Sequence, residues 1–215
     1  MLVGGVDEAG RGCVLGPLAV AGVSVEQSRM DELASLGVKD SKLLSPGRRE
    51  ALYPEILRVC SRVEVERIPP KMIDRYVSRG KKYRRLNYLE AIHMAKVIDA
   101  LGVDEVFVDA PDTNPERFTR ELTDLLVSSP RVVAEHKADV NYPVVSAASI
   151  VAKVERDLTI EELREVHGDF GSGYPSDPDT IAFLESWVKT NSERPEFARK
   201  SWKTWERISV LPTLD

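Results

Sequence analysis

Two adjacent carboxylates, Asp7 and Glu8, stand at the end of an apolar segment close to the amino terminus. A buried pair of carboxylates is costly to remove from water unless a cation neutralises it. A second apolar segment also ends on a carboxylate, Asp109, and Asp139 lies just before a long apolar run. The first and fourth strands of a mixed sheet can be neighbours, so we expect Asp7 and Asp109 to face each other.

These four side chains would bind a hard divalent cation. Carboxylate ligands without histidine or cysteine select Mg²⁺ or Mn²⁺, and Asp139 precedes a helix whose N-terminus favours an anion. Two such ions about 4 Å apart would promote in-line displacement at phosphorus, as they do in many nucleases. The residue types therefore predict metal-dependent phosphodiester hydrolysis.

A phosphate-binding loop is a rival interpretation of the same glycine-rich segment. Gly5 and Gly10 have the glycine spacing of a P-loop, but Arg11-Gly12 replaces its Lys-Ser/Thr pair. The two acidic residues between these glycines would also repel a triphosphate. A dinucleotide fingerprint fails as well, because Leu15 occupies the position of its third glycine.

Several of these residues also have a purely structural interpretation. The two adjacent acids could lie at the tip of a solvated turn, and Asp109 could cap the turn-rich segment that follows it. Tyr174 could anchor a Gly/Pro turn, and Lys42 could be ordinary surface. Ser146 and Ser149, in an apolar helix, most often bond back to the helix backbone.

The elements that would position these residues follow from the apolar pattern. Predicted strands cover residues 2–6, 18–25, 63–68, 105–109 and 132–135. Predicted helices cover residues 46–60, 86–101, 115–129 and 143–167, with a further helix after residue 179. Three strands in series, followed by strands that alternate with helices, predict a mixed sheet with helices on its faces.

Composition places the chain among globular proteins. Of 215 residues, 42% are hydrophobic and 30% are charged, which excludes a disordered chain. The apolar stretch 14–25 contains Pro17 and is shorter than the roughly 18 residues that a membrane span needs. No basic amino-terminal region precedes this stretch, which argues against a signal peptide. Cys13 and Cys60 lack partners at metal-ligand spacing and are interpreted as free thiols of a reducing cytosol. We expect a cytoplasmic protein.

A formal net charge of −5 argues against a protein that coats nucleic acid. The basic residues nevertheless concentrate in two stretches. Residues 71–85 contain seven of them together with two tyrosines, and residues 187–207 interleave three tryptophans with Lys189, Arg194, Arg199, Lys200, Lys203 and Arg207. Each stretch could contact phosphates or be ordinary solvated surface.

An ordered set of motifs resembles the ribonuclease HII family in its archaeal form. In chain order the motifs are Asp7–Gly12 (DEAGRG), Gly16–Leu18 (GPL), Asp40–Ser45 (DSKLLS), Phe107–Asp109 (FVD), Lys137–Asp139 (KAD), Ser146–Lys153 (SAASIVAK), Arg156-Asp157 and Gly173–Pro175 (GYP). The resemblance covers residues 1 to about 178 and implies a ribonuclease H-like fold, a mixed five-stranded sheet flanked by helices. Residues 1–178 would form the catalytic domain, and residues 179–215 a small helical extension.

The resemblance also implies roles for single residues. Four carboxylates would bind the metal: Asp7, Glu8, Asp109 and Asp139. The segment Gly10-Arg11-Gly12, here called the GRG loop, would read the ribose 2′-hydroxyl, because glycines let the backbone approach the sugar closely. Tyr174 would pack on the adjoining sugar at an RNA–DNA junction, and Lys42 and Lys137 would contact phosphate or the active site. Cys13 stands where many members have proline, which predicts a somewhat looser loop.

The implied reaction is hydrolysis 5′ to a ribonucleotide in RNA–DNA hybrids or in duplex DNA, leaving 5′-phosphate and 3′-hydroxyl ends. The extension would help to grip the duplex, so deleting residues beyond 180 is predicted to weaken binding more than it slows chemistry. We expect a monomer. A sliding clamp is a further partner in this family, although the ending Leu-Pro-Thr-Leu-Asp shows no clear clamp-binding motif.

Two rival functions remain open at this point. A resolvase- or integrase-like nuclease would share the fold but cut DNA alone, and it would not need the GRG loop. A non-enzymatic module would bind RNA–DNA duplexes without turnover. Cleavage of an all-DNA duplex would reveal the first, and the absence of metal-dependent turnover would reveal the second.

Overall fold

The computed structural model describes residues 1–38, 44–78 and 82–208. A mixed sheet has the strand order β3-β2-β1-β4-β5. The strands are β1 (Leu2–Ala9), β2 (Leu18–Glu26), β3 (Arg62–Ile68), β4 (Glu105–Asp109) and β5 (Arg131–Glu135). Strands β1, β2 and β3 pair antiparallel, and β4 and β5 run parallel to β1. The predicted five-stranded mixed sheet is confirmed.

Helices cover both faces of this sheet. They are α1 (Met30–Ser35), α2 (Pro46–Val59), α3 (Pro70–Val77), α4 (Lys82–Leu101), α5 (Pro115–Leu125), α6 (Ala138–Asn141), α7 (Pro143–His167), α8 (Pro178–Thr190) and α9 (Thr204–Ile208). Proline in the first turn and a polar cap explain where several of them begin. Ser45, Asn114 and Asp177 cap α2, α5 and α8 in this way. Across the described ranges, no helix is long and apolar enough to cross a membrane.

Glycines allow two long helices to pack closely on the central strands. Helix α7 lies across β1 and β2 on one face, and α4 packs on the other. A Cβ atom on Gly5 would lie 2.2 Å from the carbonyl carbon of Val144, and one on Gly22 would lie 2.5 Å from a methyl of Val97. The start of α7 therefore rests directly on β1, two residues before Asp7.

Several elements differ from the sequence-based expectation, and α1 and α6 are further helices that it did not contain. Strand β1 continues to Ala9, so Asp7 and Glu8 lie within the strand, and the solvated-turn interpretation is wrong. Helix α3 was not predicted, because Pro70 was interpreted only as a strand terminator, whereas proline also suits the first turn of a helix. Helix α5 ends at Leu125 rather than near residue 129, because Leu126 is extended.

The carboxy-terminal residues belong to the main core. Phe197, Trp202 and Trp205 are buried in the same hydrophobic cluster as residues of β1 and α4, and Ala198 forms a β-bridge with Leu15. Deletion beyond residue 180 would remove this buried surface and should destabilise the fold. That such a deletion mainly weakens substrate binding stays a prediction. Arg199 is also buried and cannot reach phosphate. The boundary at residue 178 between a catalytic domain and an extension that binds substrate stays a prediction.

Candidate active site

Three carboxylates meet where β1, β4 and α6 converge. Val6 pairs with Val108 in the parallel register of β1 and β4, which places Asp7 level with Asp109 one residue further on. Asp139 joins them from α6, which follows β5 directly. One oxygen of each of these three side chains lies within 4.8 Å of the others. The structure thus brings together residues that are far apart in the chain.

Glu8 lies beside this cluster but not in it. Side chains alternate across a strand, so Glu8 points away from Asp7, toward the α4 side of the sheet, where Glu90 and Arg11 lie close enough to affect it electrostatically. Its Oε2 atom is buried and has no hydrogen-bond partner among the described residues. A buried carboxylate oxygen without a donor is unfavourable unless a cation or water satisfies it. Metal binding by Glu8 stays a prediction.

The electrostatics of the cluster favour a bound cation. Burial, and then the negative charge of Asp109, raise the pKa of Asp7 to about 7, against the effect of Ser149 and Lys153. Burial, and then Asp7 and Glu90, raise the pKa of Glu8 well above its ordinary value. Each shift shows that the charged form is disfavoured in the metal-free site. The donor set, made of carboxylate oxygens, fits a hard divalent ion.

Helix α7 holds the cluster from one side. Ser149 hydrogen-bonds to Asp7 and accepts a hydrogen bond of 2.6 Å from Nζ of Lys153. Ser146 donates to the carbonyl of Asp139. Both serines were expected to bond back to their own helix, and that expectation is wrong, because α7 lies close enough to β1 and α6 for their hydroxyls to reach the site.

The GRG loop leaves β1 three residues after Asp7. Gly10 has a φ of 88°, a conformation that favours glycine. The side chain of Arg11 turns into the protein, where its guanidinium lies 3.1 Å from the buried carboxylate of Glu90 and donates to Asn87 and to the carbonyl of Pro111. The side chain of Arg11 therefore anchors the loop, and the loop presents its backbone.

Tyr174 stands next to this loop. A Cβ atom on Gly12 would lie 3.8 Å from the Tyr174 ring, and the guanidinium of Arg156 lies 4.8 Å from the ring centroid. Burial, and then Cys13, raise the pKa of Tyr174 to about 12. The Cys13 amide donates to the carbonyl of Gly10, a bond that proline could not make. The looser loop expected from Cys13 stays a prediction.

Comparison with known proteins identifies the family. The chain matches the family model described as Ribonuclease HII over residues 4–205. It is 48% identical to the ribonuclease HII of Cenarchaeum symbiosum (strain A) over 203 residues, which are 94% of this chain and 96% of that protein. The chain belongs to the ribonuclease HII family.

Solved structures of similar proteins share the fold. The ribonuclease H2 of Pyrococcus horikoshii OT3 is 40% identical, with a TM-score of 0.89 over 97% of each chain. A ribonuclease HII of Archaeoglobus fulgidus, solved in complex with PCNA, is 47% identical, with a TM-score of 0.86 over 94% of this chain and 96% of that one. The predicted ribonuclease H-like fold is confirmed, and this member of the ribonuclease HII family is a ribonuclease H, a hydrolase.

Of the two lysines predicted to contact substrate, only Lys137 lies within the described residues. Lys137 is exposed and caps α6 with a φ of 58° and a ψ of 34°, an uncommon conformation for a residue other than glycine. Its position two residues before Asp139 puts it at the edge of the site of this ribonuclease HII family member. Lys42 lies outside the described residues.

Sequence reasoning missed the buried polar residues that support the GRG loop. Asn87 and Glu90 lie one helical turn apart on the buried face of α4, and Asn87 continues the network to Asp112 with a hydrogen bond of 2.7 Å. Arg199 supports the loop from the carboxy-terminal segment. The sequence did contain a signal for this network. Two polar residues at i and i+3 on an apolar helix face indicate buried polar partners, because a buried polar group without a partner is unfavourable.

Proposed function

We propose that this ribonuclease HII family member is an endonuclease that hydrolyses the phosphodiester 5′ to ribonucleotides. Its substrates are RNA–DNA hybrids and duplex DNA with embedded ribonucleotides, and its products carry 5′-phosphate and 3′-hydroxyl ends. One observation supports this proposal above the others: Asp7, which meets Asp109 and Asp139 in the carboxylate cluster, lies near the end of β1, the strand from which the GRG loop emerges. The groups for hydrolysis and for sugar recognition are therefore neighbours.

Asp7, Asp109 and Asp139 would hold the divalent ions, Mg²⁺ or Mn²⁺, with Glu8 completing the site. Two ions held by these residues would supply an activated water and stabilise the leaving 3′-oxygen. Ser149 and α7 keep Asp7 in place for this purpose. The backbone of the GRG loop binds the ribose 2′-hydroxyl, and Tyr174 packs on the adjoining sugar.

Cleavage of end-labelled duplexes tests the proposal. One duplex contains a single ribonucleotide and a matched duplex is all DNA, each with Mg²⁺, Mn²⁺ or EDTA. Cutting 5′ to the ribonucleotide, with metal and not with EDTA, is the expected result. Asp7→Asn should abolish turnover while substrate binding survives. Cutting of both duplexes would favour a DNA nuclease, and binding without cutting under either metal would favour a non-enzymatic module.

A sliding clamp is a further proposed partner. The Archaeoglobus fulgidus relative was solved with PCNA, and this chain aligns with 96% of it. Residues 209–215, where a tail motif would lie, show no clear clamp-binding sequence and fall outside the described residues. Co-elution of the full chain with a purified archaeal clamp tests this partner, and two separate peaks at micromolar concentrations would contradict it.

A further inference from the structure

The guanidinium of Arg199 binds the GRG loop from behind. Arg199 is fully buried, and its N–H groups donate to four main-chain carbonyls. The acceptors are Gly10 at 2.6 Å, Arg11 at 2.8 Å, Pro17 at 2.9 Å and Gly16 at 3.3 Å. One side chain therefore ties both ends of the segment between β1 and β2 together.

This arginine is held by the carboxy-terminal segment. Its amide donates to the carbonyl of Val14 over 2.8 Å, its own carbonyl accepts from the Trp205 indole over 3.1 Å, and its guanidinium lies 5.0 Å from the Trp202 ring centroid. These contacts fix the origin and the direction of the side chain. The position of Arg199 thus depends on the buried tryptophans of the extension.

The carbonyls are the main compensation for burying this charge. Among residues 1–38, 44–78 and 82–208, no carboxylate forms an ion pair with Arg199. Burial lowers the pKa of Arg199 to about 10, so the side chain stays charged near neutral pH. A buried cation without a carboxylate is costly, and only arginine has a planar fork with enough donors for four acceptors.

Binding these carbonyls sets the direction of the loop amides. In a planar trans peptide, the C=O and N–H groups point in opposite directions. Because the Gly10 and Arg11 carbonyls point to Arg199, the amides of Arg11 and Gly12, which share those peptide units, point away from it. Neither amide donates a hydrogen bond to any part of the chain that the structure describes, and Gly12 is exposed beside Tyr174.

We infer that Arg199 is a positioning residue for ribose recognition. It orients the GRG loop so that the Arg11 and Gly12 amides face the sugar, and it makes the preference for ribonucleotides depend on the carboxy-terminal segment. The inference rests on the proposed function, because the loop reads ribose only if the protein cuts at ribonucleotides. Arg199 itself touches neither the substrate nor the metal ligands.

Arg199→Lys tests the inference, because lysine keeps the charge but has three donors in place of the planar fork. Arg194→Lys is the matched control: Arg194 lies in the same segment, 4.9 Å from the Trp205 ring centroid, and donates to the Lys200 carbonyl, away from the loop. Should Arg199→Lys not fold, Arg199→Gln, which buries no charge, takes its place with the same expectations.

Single-turnover cleavage at saturating substrate provides the first readout. We expect Arg199→Lys to cut the one-ribonucleotide duplex about tenfold to a hundredfold more slowly, the scale of a misplaced binding group, and to discriminate less against a 2′-deoxy or 2′-fluoro sugar at that position. The rise in melting temperature with Mn²⁺ should match that of the native protein. A native rate and native sugar preference in a folded variant would overturn the inference.

Hydrogen exchange of the full-length protein provides a readout that does not depend on activity. The hydrogen-bonded amides of residues 13–16 should exchange faster in the Arg199 variant than in the native protein or in Arg194→Lys. Equal exchange in all three would overturn the positioning role. If the native protein does not cut at ribonucleotides, the proposed function fails, and exchange still decides separately whether Arg199 orders the loop.

Discussion

The pKa of Asp7 shows how a cation site without its cation affects the stability of the folded protein. Burial and the charge of Asp109 raise the pKa of Asp7 to about 7, from an ordinary value of about 3.9. The folded protein then holds this proton more tightly than the unfolded chain does. The contribution of Asp7 to stability is therefore fully present below about pH 4 and is lost as the pH rises through about 7.

The stabilisation by metal should consequently depend on pH. We expect Mg²⁺ or Mn²⁺ to raise the melting temperature more at about pH 8 than at about pH 5, because at low pH a proton already neutralises Asp7. Each kcal/mol corresponds to roughly 2–4 °C for a protein of this size. Thermal unfolding in EDTA and in metal across this range measures the effect. Asp7→Asn is the control and should show a smaller pH dependence; a metal-induced rise that is equal at both pH values would contradict the expectation.

Tyr174 gives the second prediction at the scale of single residues. Its ring is held between Gly12 and the guanidinium of Arg156, so its position is fixed before substrate binds. Tyr174→Ala should reduce cleavage most on duplexes with one embedded ribonucleotide, where the neighbouring sugar is deoxyribose, and less on long hybrids. Rates on both substrates measure the difference.

Tyr174→Phe separates the ring from the hydroxyl. Phenylalanine keeps the packing against Gly12 and removes the hydroxyl beside Cys13. A loss confined to Tyr174→Ala would assign the role to ring packing, and a comparable loss in both variants would assign it to the hydroxyl. Equal losses of Tyr174→Ala on single ribonucleotides and long hybrids would argue against a role at the junction.

At the scale of elements, apolar pattern and turn residues predicted the five strands and the long helix α7. The proximity of Asp7 and Asp109 followed from these strands, because β1 and β4 are parallel neighbours whose register brings the two residues level. Helix α3 was missed because Pro70 was interpreted as the end of a strand, although Ile73 and Val77 follow it at helical spacing and are buried with it. The contact of Arg199 with the GRG loop could not be predicted, because Arg199 lies in a short irregular segment and reaches the loop only through tertiary packing.

The close contact between β1 and α7 gives a testable prediction about stability and metal binding. Gly5→Ala places a Cβ atom 2.2 Å from the Val144 carbonyl carbon, and backbone cannot rotate away as a side chain can. We expect a loss of about 1–3 kcal/mol or more in the free energy of unfolding, together with weaker metal binding, because α7 carries Ser149. Urea unfolding and Mn²⁺ titration measure the two effects.

Gly4→Ala is the matched control on the same strand. Its Cβ atom would lie 3.2–3.3 Å from methyl groups of Val103 and Val106, which can shift slightly. Gly4→Ala should therefore cost much less stability than Gly5→Ala and leave Mn²⁺ affinity unchanged. Similar losses of stability in both variants would show that general crowding around β1, and not the contact of α7 with Gly5, determines the stability.

At the scale of the whole molecule, the carboxy-terminal segment has a role in the core and a proposed role in duplex binding, and its composition does not separate the two. Tryptophan and basic residues together predicted a surface that grips the duplex. The structure divides them, since Trp202, Trp205 and Arg199 are buried while Lys200 and Lys203 are exposed. Burial depends on which face of each turn meets the core, and short irregular segments have no period from which that face can be read.

The two roles can be tested by substitution, where truncation would confuse them. Trp205→Ala should lower the free energy of unfolding by about 3–5 kcal/mol, because the indole is almost fully buried.

Lys200→Ala combined with Lys203→Ala should leave thermal stability unchanged and weaken duplex binding. The dependence of log Kd on log salt concentration should also fall by up to about 0.9 for each phosphate that the double variant no longer neutralises. Fluorescence anisotropy on a labelled duplex with Asp7→Asn as background measures this slope. An unchanged affinity and slope would mean that the segment serves the fold and the GRG loop but does not grip the duplex.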